Sequence, residues 1–515
     1  MDKRDALRYR IAPIEMTPSE FRKVGRQLVE RIAEFLCTLP DRPVTVDESP
    51  RRIREALGSG PLPEEGSEAK DLLEEAADLL FAHSTFNGHP RFWGVITSSA
   101  APIGALGDLL AASVNPNLGG WIGGPMANEI EAQTVRWIAE LIGYPTDCGG
   151  LLVSGGNMGN FVGFLAARKA KAPWDVRAAG LLGEGAGRLR VYTSSETHTW
   201  IQKATDMFGL GTQAIRWIPA DSQLRMATTA LREQIQADIE AGDLPFLVIG
   251  TAGTVSTGAV DPLFDIAAIC REYDLWFHVD GAYGGFAAVL RNSGQGKVPA
   301  DLSGIRLADS VAVDPHKWLY APLEAGCALV RKPEVLRETF SYHPPYYHWA
   351  SQDEPIIDYH DYGPQNSRGF RALKVWLALR QVGRAGYEEM IADDIQLAQE
   401  LYRLVEAHPE LQAFTQGLSI TTFRYVPPDL TPGSEPVEAY LNQLNTALLH
   451  RLQRSGEAFL SNAVVRGTFL LRACVVNFRT SLEDIEALPP LVTRIGREVD
   501  ATMRPGERKS PRYIG

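Results

Sequence analysis

The stretch "LLVSGGNMGNFVGFLAARKA" (residues 151–170) has the pattern of a strand, a glycine turn and a helix in immediate succession. The apolar strand runs into the turn Ser154-Gly155-Gly156, and apolar residues then recur at helical spacing from Met158 to Leu165. A glycine turn lets backbone approach a ligand closely, and the free N–H groups of a helix start favour an anion. The stretch therefore predicts a phosphate site, although a tight turn that binds nothing also fits, since short glycine motifs recur by accident.

Strand-like and helix-like runs alternate around this stretch, from about residue 86 to about residue 390. The predicted strands are 151–155, 189–194, 246–252, 275–280, 310–314 and 327–331. The predicted helices between them are 157–172, 198–208, 224–240 and 262–273. This alternation is typical of an α/β layer architecture with a mostly parallel central sheet.

The C-terminal region has a different pattern. Two strand-like runs, 418–426 and 469–478, precede a helix for which Thr480 and Glu483 occupy capping-box positions. Residues from about 395 onward therefore predict a smaller α+β unit.

The N-terminal region is helical over residues 17–57, and the turn-rich segment 58–71 marks a boundary after it. We therefore expect three parts in the chain. They are an N-terminal helical arm (1–85), a large α/β domain (86–394) and a small C-terminal α+β domain (395–515).

Composition excludes several classes of function. The 515 residues are 45% hydrophobic and 22% charged, which is typical of a globular protein, and the net charge of −12 gives no general attraction to nucleic acid or an anionic membrane. Neither a signal-peptide core nor an apolar run of transmembrane length is present. The five cysteines are scattered without metal spacing, so we expect reduced thiols in a cytoplasmic protein.

A carboxylate ends the predicted strand in "LWFHVDGAYGG" (275–285). Asp280 is followed by the small residues Gly281 and Ala282, and ligands of open α/β sheets gather at such carboxyl ends. His278 lies two residues earlier and so on the same side of the strand. Asp280 therefore predicts a partner for a cationic ring nitrogen, while a turn or helix-capping aspartate remains the alternative.

A lysine follows the next predicted strand in "SVAVDPHKWLY" (310–320). Lys317 has His316 before it and the apolar Trp318 and Leu319 after it. Such a lysine is either a salt-bridge or surface residue, or a nucleophilic amine that forms a Schiff base with an aldehyde cofactor.

These three features together favour one cofactor. Pyridoxal phosphate needs an anion site for its phosphate, an acid partner for its pyridinium and a lysine for its aldehyde. His198, which follows a strand in "SSETHTW" (194–200), adds a ring that could lie flat against the cofactor.

The motifs "DPHKW", "HVDGAYGG", "SGGN" and "SETHTW" resemble those of the group II pyridoxal-phosphate-dependent amino-acid decarboxylases, whose members include aromatic-L-amino-acid decarboxylase. The resemblance covers nearly the whole chain, from "RPVTVDESPRRIREAL" (42–57) to "SRGFRALKVWLALRQVG" (367–383) and beyond. It implies the aspartate aminotransferase-like fold (fold type I) and a homodimer with shared active sites, in which the N-terminal arm takes part. It also implies decarboxylation of an L-amino acid to an amine and CO2.

The resemblance also assigns roles to individual residues. Lys317 would hold pyridoxal 5′-phosphate as a Schiff base, Asp280 would pair with the ring nitrogen, and Ala282 and His198 would flank the ring. The remaining cofactor contacts implied are Ser154, Gly156, Asn157, Thr251 and His316.

In the family, a mobile loop supplies a tyrosine to the neighbouring subunit's site. That tyrosine aligns best with Tyr346, with Tyr347 and Tyr342 as alternatives. In such enzymes it protonates a quinonoid intermediate, and with His198 it favours the amine product over an aldehyde.

The implied substrate pocket departs from the aromatic-substrate pattern. Its expected residues are Phe92, Trp93, Val95, Ile96, Ser98 and Trp121. Val95, Ile96, Asn117 and Gly119 stand where those relatives have a clamp of aromatic residues, so the aromatic preference is weakened and a larger side chain such as an indole becomes conceivable. Asp314 also occupies a position near the phosphate that is often neutral in relatives.

Two other functions stay open at this point. One is a decarboxylation-dependent aldehyde synthase, and the other is a catalytically inactive pyridoxal-phosphate-binding regulator. The latter would need a partner or DNA-binding module, and the sequence has neither a helix-turn-helix pattern nor a basic patch. The sequence does not identify the amino acid.

Overall fold

A computed structural model describes residues 7–8, 10, 12–183, 185–293, 298–343 and 354–504. The chain begins with α1 (Pro18–Thr38), α2 (Pro50–Leu57) and α3 (Ala69–Ala82). The predicted single helical stretch over 17–57 is wrong, because the chain leaves the helix through a short 3-10 turn, Leu39–Asp41, and resumes only at Pro50. Pro40 and Pro43 lie in this interruption, and neither has the N–H that a helix interior needs.

A seven-stranded sheet forms the centre of the chain. Its strands are β1 (Gly149–Val153), β2 (Leu189–Ser194), β3 (Ile215–Ile218), β4 (Leu244–Thr251), β5 (Trp276–Asp280), β6 (Ser310–Val313) and β7 (Gly326–Val330). Their spatial order is β1-β7-β6-β5-β4-β2-β3. All neighbours are parallel except β7, which runs antiparallel to both β1 and β6. The expected mostly parallel α/β sheet is therefore confirmed.

Helices cover both faces of this sheet. The helices in this part of the chain are α4 (Pro102–Val114), α5 (Pro125–Leu141), α6 (Gly156–Lys171), α7 (Val176–Ala179), α8 (Trp200–Met207), α9 (Thr228–Glu240), α10 (Leu263–Glu272), α11 (Leu290–Ser293) and α12 (Pro333–Phe340). One buried cluster includes Val248, Phe277 and Val311, and the other includes Leu247, Ile249 and Trp276. Adjacent strand residues thus point into opposite cores, which is why these strands are apolar throughout.

A second, antiparallel sheet follows the long helix α13 (Ala372–Glu406). Its strands are β8 (Leu411–Gly417), β9 (Ile420–Tyr425), β10 (Ser461–Val465) and β11 (Thr468–Cys474), and α14 (Glu435–Ser455) and α15 (Leu482–Met503) complete the region. The expected boundary at residue 394 falls inside α13, so the three-part division of the chain stays a prediction.

The capping box of α15 lies one residue later than predicted. Ser481 accepts a hydrogen bond from the Asp484 N–H, and the Asp484 side chain accepts one from the Ser481 N–H. Thr480 is unavailable as a cap because its hydroxyl donates to the Pro90 carbonyl and accepts from the Trp93 indole. The tertiary contacts of Thr480 thus move the capping box one residue along the chain from its predicted position.

No helix among the described residues is both long enough and apolar enough to span a membrane. All five cysteines are free thiols.

A buried ion pair fixes β1, the strand that leads into the glycine turn. Arg368 and Glu131 lie 2.5 Å apart with side chains that are 1% and 0% exposed. Glu131 also accepts the Leu152 N–H at 2.8 Å, and Arg368 donates to the Leu152 carbonyl at 2.7 Å. The pair therefore joins α5, β1 and the segment before α13.

Replacing Glu131 with alanine should destabilise the fold strongly, because the Arg368 charge would stay buried without its partner. We expect a loss of about 3–5 kcal/mol in the free energy of unfolding, measured by urea denaturation. The matched control is Glu140→Ala on the same helix, whose ion pair with Arg384 is half-exposed and should contribute less than about 1 kcal/mol. Equal losses in the two variants would contradict the anchoring role of Glu131.

Candidate active site

A cavity of about 400 Å³ opens at the carboxyl ends of the parallel strands. All nine residues predicted to contact the cofactor line it: Ser154, Gly156, Asn157, His198, Thr251, Asp280, Ala282, His316 and Lys317. They come from separate parts of the chain, and the fold brings them to one edge of the sheet. Asp314 and Asn160 also line this cavity.

Strand register explains the convergence. Thr251 ends β4 and is paired with Asp280, which ends β5 and is paired with Ala312 of β6. Because these strands are parallel, their carboxyl ends lie at the same edge, where ligands of α/β sheets bind. Lys317 follows β6 by a short turn in which its N–H donates to the Asp314 carbonyl.

The glycine turn forms a narrow cradle at the start of α6. Gly155 has φ of +134°, a conformation that strains other residues. A side chain at Gly156 would place Cβ 2.8 Å from Asp314 Oδ2 and 3.0 Å from Ala282 Cβ. The first N–H groups of a helix lack intrahelical partners, so this turn has the chemistry of an anion seat.

The Trp200 side chain holds Asp280 in place. Its indole N–H donates to Asp280 Oδ2 at 2.8 Å, and the Ala282 N–H donates to Asp280 Oδ1 at 3.1 Å. Trp200 is fully buried. Two fixed donors give the carboxylate one orientation at the floor of the cavity.

The same tryptophan orients His198. The Trp200 backbone N–H donates to His198 Nδ1 at 3.3 Å, so the neutral ring carries its proton on Nε2. Burial lowers the pKa of His198, while the Asp280 carboxylate opposes that shift. Trp200 lies inside the motif "SETHTW", but its contacts with His198 and Asp280 could not be predicted from that motif alone.

Lys317 pairs with Asp314 in this structure. Its Nζ lies 2.9 Å from Asp314 Oδ2, and His316 Nε2 lies 3.6 Å from the same oxygen. The Ala325 N–H donates to His316 Nδ1 at 3.2 Å, which leaves the proton of the neutral ring on Nε2. Burial lowers the pKa of His316.

His278 lies beneath the cavity rather than in its lining. Its Nε2 donates to Asn160 Oδ1 at 2.7 Å, and its Nδ1 accepts from the Ser310 hydroxyl, which in turn accepts the Trp276 indole N–H. Burial lowers the pKa of His278 to about 4, so the ring is neutral. It supports Asn160, which does line the cavity.

The structure separates two expected substrate-pocket residues from the cavity. Phe92 and Trp93 are 3% and 1% exposed. Phe92 stacks on Phe459 at 4.9 Å, and Trp93 belongs to the core of the C-terminal sheet. Apolar contacts with the C-terminal region bury both side chains, and their contact with substrate stays a prediction.

The other expected substrate-pocket residues also lie outside the lining of this cavity. Val95 is 47% exposed with φ of +41°, and Ile96 packs on the main core. Ser98 donates to the His316 carbonyl, and the Trp121 indole donates to Glu129. Their contact with substrate stays a prediction.

The loop tyrosines are only partly described. Tyr346 and Tyr347 lie outside the described residues. Tyr342 is 68% exposed, with the Arg177 guanidinium 4.2 Å from its ring centre.

Another buried carboxylate anchors the lysine segment from below. Asp394 of α13 accepts from the Trp318 indole at 3.1 Å and the Tyr320 hydroxyl at 2.7 Å. Its second oxygen accepts from the Asn477 N–H at 3.4 Å. Asp394 thereby joins the lysine segment to α13 and to the C-terminal region, and it holds Tyr320 at a φ of +51°.

This arrangement defines a fold type I enzyme with a site for pyridoxal phosphate. The glycine cradle suits a phosphate, Asp280 suits a ring nitrogen, and Lys317 supplies an amine within the same cavity.

Comparison with known proteins gives the family. The model of the pyridoxal-dependent decarboxylase conserved domain matches residues 50–426. An aromatic-L-amino-acid decarboxylase of Bacillus atrophaeus is 33% identical over 94% of this chain and 97% of its own length. A phenylacetaldehyde synthase of a Rosa hybrid cultivar is 29% identical, over 89% of this chain and 90% of its own length.

A solved structure agrees with these relatives. The Oryza sativa TDC with PLP and tryptamine has a TM-score of 0.86 and 26% identity, and it covers 95% of this chain and 99% of its own. The chain belongs to the pyridoxal-dependent decarboxylase family. It is a carboxy-lyase that decarboxylates an amino acid with pyridoxal 5′-phosphate as its cofactor.

Asp394 should make stability depend on pH around neutrality. Burial raises its pKa to about 7, and the neighbouring Asp393 carboxylate acts in the same direction. The folded state therefore binds the proton more tightly than the unfolded state does, and stability falls as pH rises from the unfolded pKa to about 7.

Asp394→Asn should remove this dependence while keeping an acceptor for Trp318 and Tyr320. Between about pH 6 and about pH 8 we expect the native protein to lose about 1 kcal/mol more than the variant. Chemical denaturation at several pH values measures the difference. Parallel pH profiles for the two proteins would show that Asp394 does not titrate in this range.

Proposed function

We propose that this carboxy-lyase acts on an aromatic L-amino acid and releases the corresponding amine with CO2. The convergence of the nine predicted cofactor residues on one cavity carries the proposal. The aromatic class is supported by the printed names of two similar proteins, an aromatic-L-amino-acid decarboxylase and a structure that contains tryptamine.

Lys317 and Asp280 would hold the two reactive ends of the cofactor in this cavity. When bound, pyridoxal 5′-phosphate supplies an aldehyde for attachment and a ring that accepts the electrons of the breaking C–C bond. Lys317 would hold the cofactor through its side-chain amine, which lies in the same cavity. Asp280, held by Trp200 and Ala282, keeps a proton on the ring nitrogen by accepting its hydrogen bond.

The remaining residues hold the cofactor from its faces and its phosphate end. His198 and Ala282 would flank the ring, and Thr251 would lie by its substituents. The turn at Ser154, Gly156 and Asn157 would hold the phosphate, with the Nε2–H of His316 as a further donor.

Proton return to the substrate carbon is assigned to Tyr346 of a neighbouring subunit. A homodimer is supported by exposed apolar side chains on α1 and α4. They are Phe21, Val29, Ile32, Leu106, Leu109, Leu110 and Val114. Large apolar faces of this kind are commonly covered by a partner, and the N-terminal arm is our candidate for one part of that interface.

The proposal also includes a cellular location and a division of the chain into domains. The free thiols support a reducing, cytoplasmic location. A large domain (86–394) between the arm (1–85) and a small domain (395–515) is supported by the separate core of the C-terminal sheet.

A panel of L-amino acids tests the substrate class. The protein with added pyridoxal 5′-phosphate should release CO2 and amine fastest from tryptophan, tyrosine, phenylalanine or dihydroxyphenylalanine, and Lys317→Ala should abolish both products. Lys171→Ala, which removes an ion pair with the exposed Asp274, is the control and should keep full activity. Greater activity with aliphatic or acidic amino acids would overturn the aromatic assignment.

Aldehyde formation is the second candidate function, because a similar protein is a phenylacetaldehyde synthase. That reaction would consume O2 and water and release aldehyde, CO2, ammonia and hydrogen peroxide. Retention of His198 and Tyr346 favours the amine.

Tyr346→Phe should therefore shift products from amine to aldehyde, with hydrogen peroxide as a second readout. Tyr342→Phe is the matched control, and it should leave the product ratio unchanged. If Tyr346→Phe gives the native yield of amine, Tyr346 is not the proton donor.

A further inference from the structure

Asp314 is a buried carboxylate inside the cofactor cavity that the proposed reaction does not use. Its side chain is 3% exposed, and Oδ2 pairs with Lys317 Nζ at 2.9 Å. Oδ1 is buried and has no hydrogen-bond partner among the described residues. The Lys317 ammonium is therefore the main partner of this charge.

The other neighbours of Asp314 are poor substitutes for Lys317 as a hydrogen-bond donor or counter-ion. His316 Nε2 lies at 3.6 Å, beyond hydrogen-bond distance, and burial favours the neutral form of its ring. Gly156 lies against Oδ2 without a side chain. His198 and Cys327 also face the carboxylate electrostatically, and burial favours the neutral form of both.

Covalent attachment of an aldehyde changes this balance. The ammonium of Lys317 has three N–H bonds, whereas the nitrogen keeps at most one after it joins the aldehyde carbon. In the protonated product the ammonium loses two hydrogens, the aldehyde loses its oxygen, and one water leaves. The nitrogen must also turn toward the bound aldehyde, so the carboxylate loses most of its closest contact among the described residues.

The position proposed for the cofactor's phosphate adds a second unfavourable interaction, with the Asp314 carboxylate. Asp314 Oδ2 lies against the cradle at Gly156, where the proposed function places a dianionic phosphate. Two like charges in a site of low dielectric repel each other more strongly than they would in water.

We propose that Asp314 is an internal counter-ion of Lys317 that opposes cofactor attachment and thereby sets the cofactor affinity. Attachment of the cofactor must break the Lys317–Asp314 ion pair. The ion pair therefore stabilises the cofactor-free protein and lowers its affinity for the cofactor. This inference rests on the proposed role of Lys317.

Asp314→Asn tests the inference through binding rather than through catalysis. Cofactor-free protein is titrated with pyridoxal 5′-phosphate, and the visible imine absorbance gives the dissociation constant and the rate of attachment. We expect the variant to bind roughly tenfold more tightly, equivalent to about 1.4 kcal/mol, and to attach faster near neutral pH. Asp314→Ser is a second neutral variant with the same expected direction if the asparagine variant folds poorly.

The matched control is Asp243→Asn. Asp243 has the same 3% side-chain exposure and a close ion pair with Arg190, but it lies outside the cavity. Its replacement should leave the dissociation constant unchanged.

The outcomes separate the two proposals. Native protein that gives no imine absorbance with the cofactor would overturn the role of Lys317. Native protein that gives this absorbance, together with neutral Asp314 variants that bind equally or more weakly, would overturn the counter-ion alone.

Discussion

Parallel alignment of β4, β5 and β6 is the constraint on which the site depends. It places Thr251, Asp280 and the turn before Lys317 at one edge of the sheet, although they are far apart in sequence. The antiparallel strand β7 then returns beside β6 and carries Gly326 against the glycine turn. A side chain at Gly326 would meet the backbone of Gly155 at 2.5 Å, so the turn and this strand must stay in close contact.

Buried polar anchors keep the edge of the sheet in one geometry. Trp200 contacts both His198 and Asp280, which couples the residue expected over the ring to the one expected at its nitrogen. Asp394 fixes the segment after Lys317 by accepting hydrogen bonds from Trp318 and Tyr320. Because each anchor is buried and hydrogen-bonded, the cavity is built before any ligand enters it, which is how a binding site avoids reorganisation.

The sequence predicted the central sheet well because its strands are long apolar runs ending in recognisable turns. The strand predicted at 189–194 has the same bounds in the structure, while the one predicted at 151–155 ends earlier, at Val153. Strand β3 was missed because it has only four residues and exposes Trp217. The residues that line the cavity could be predicted because they sit in short motifs, whereas Trp200 and Asp394 act through tertiary contacts that no local pattern reveals. The burial of Phe92 and Trp93 was not predicted either, since only the folded chain brings the C-terminal region over them.

Chemical trapping of the cofactor followed by peptide mapping is the most direct measurement of the central claim. The protein is incubated with pyridoxal 5′-phosphate, reduced with borohydride and digested, and the modified peptide is identified by mass spectrometry. A single reduced phosphopyridoxyl group on Lys317 is the predicted result. Modification of a different lysine, with Lys317 unmodified, would contradict the assignment of this cavity as the catalytic centre.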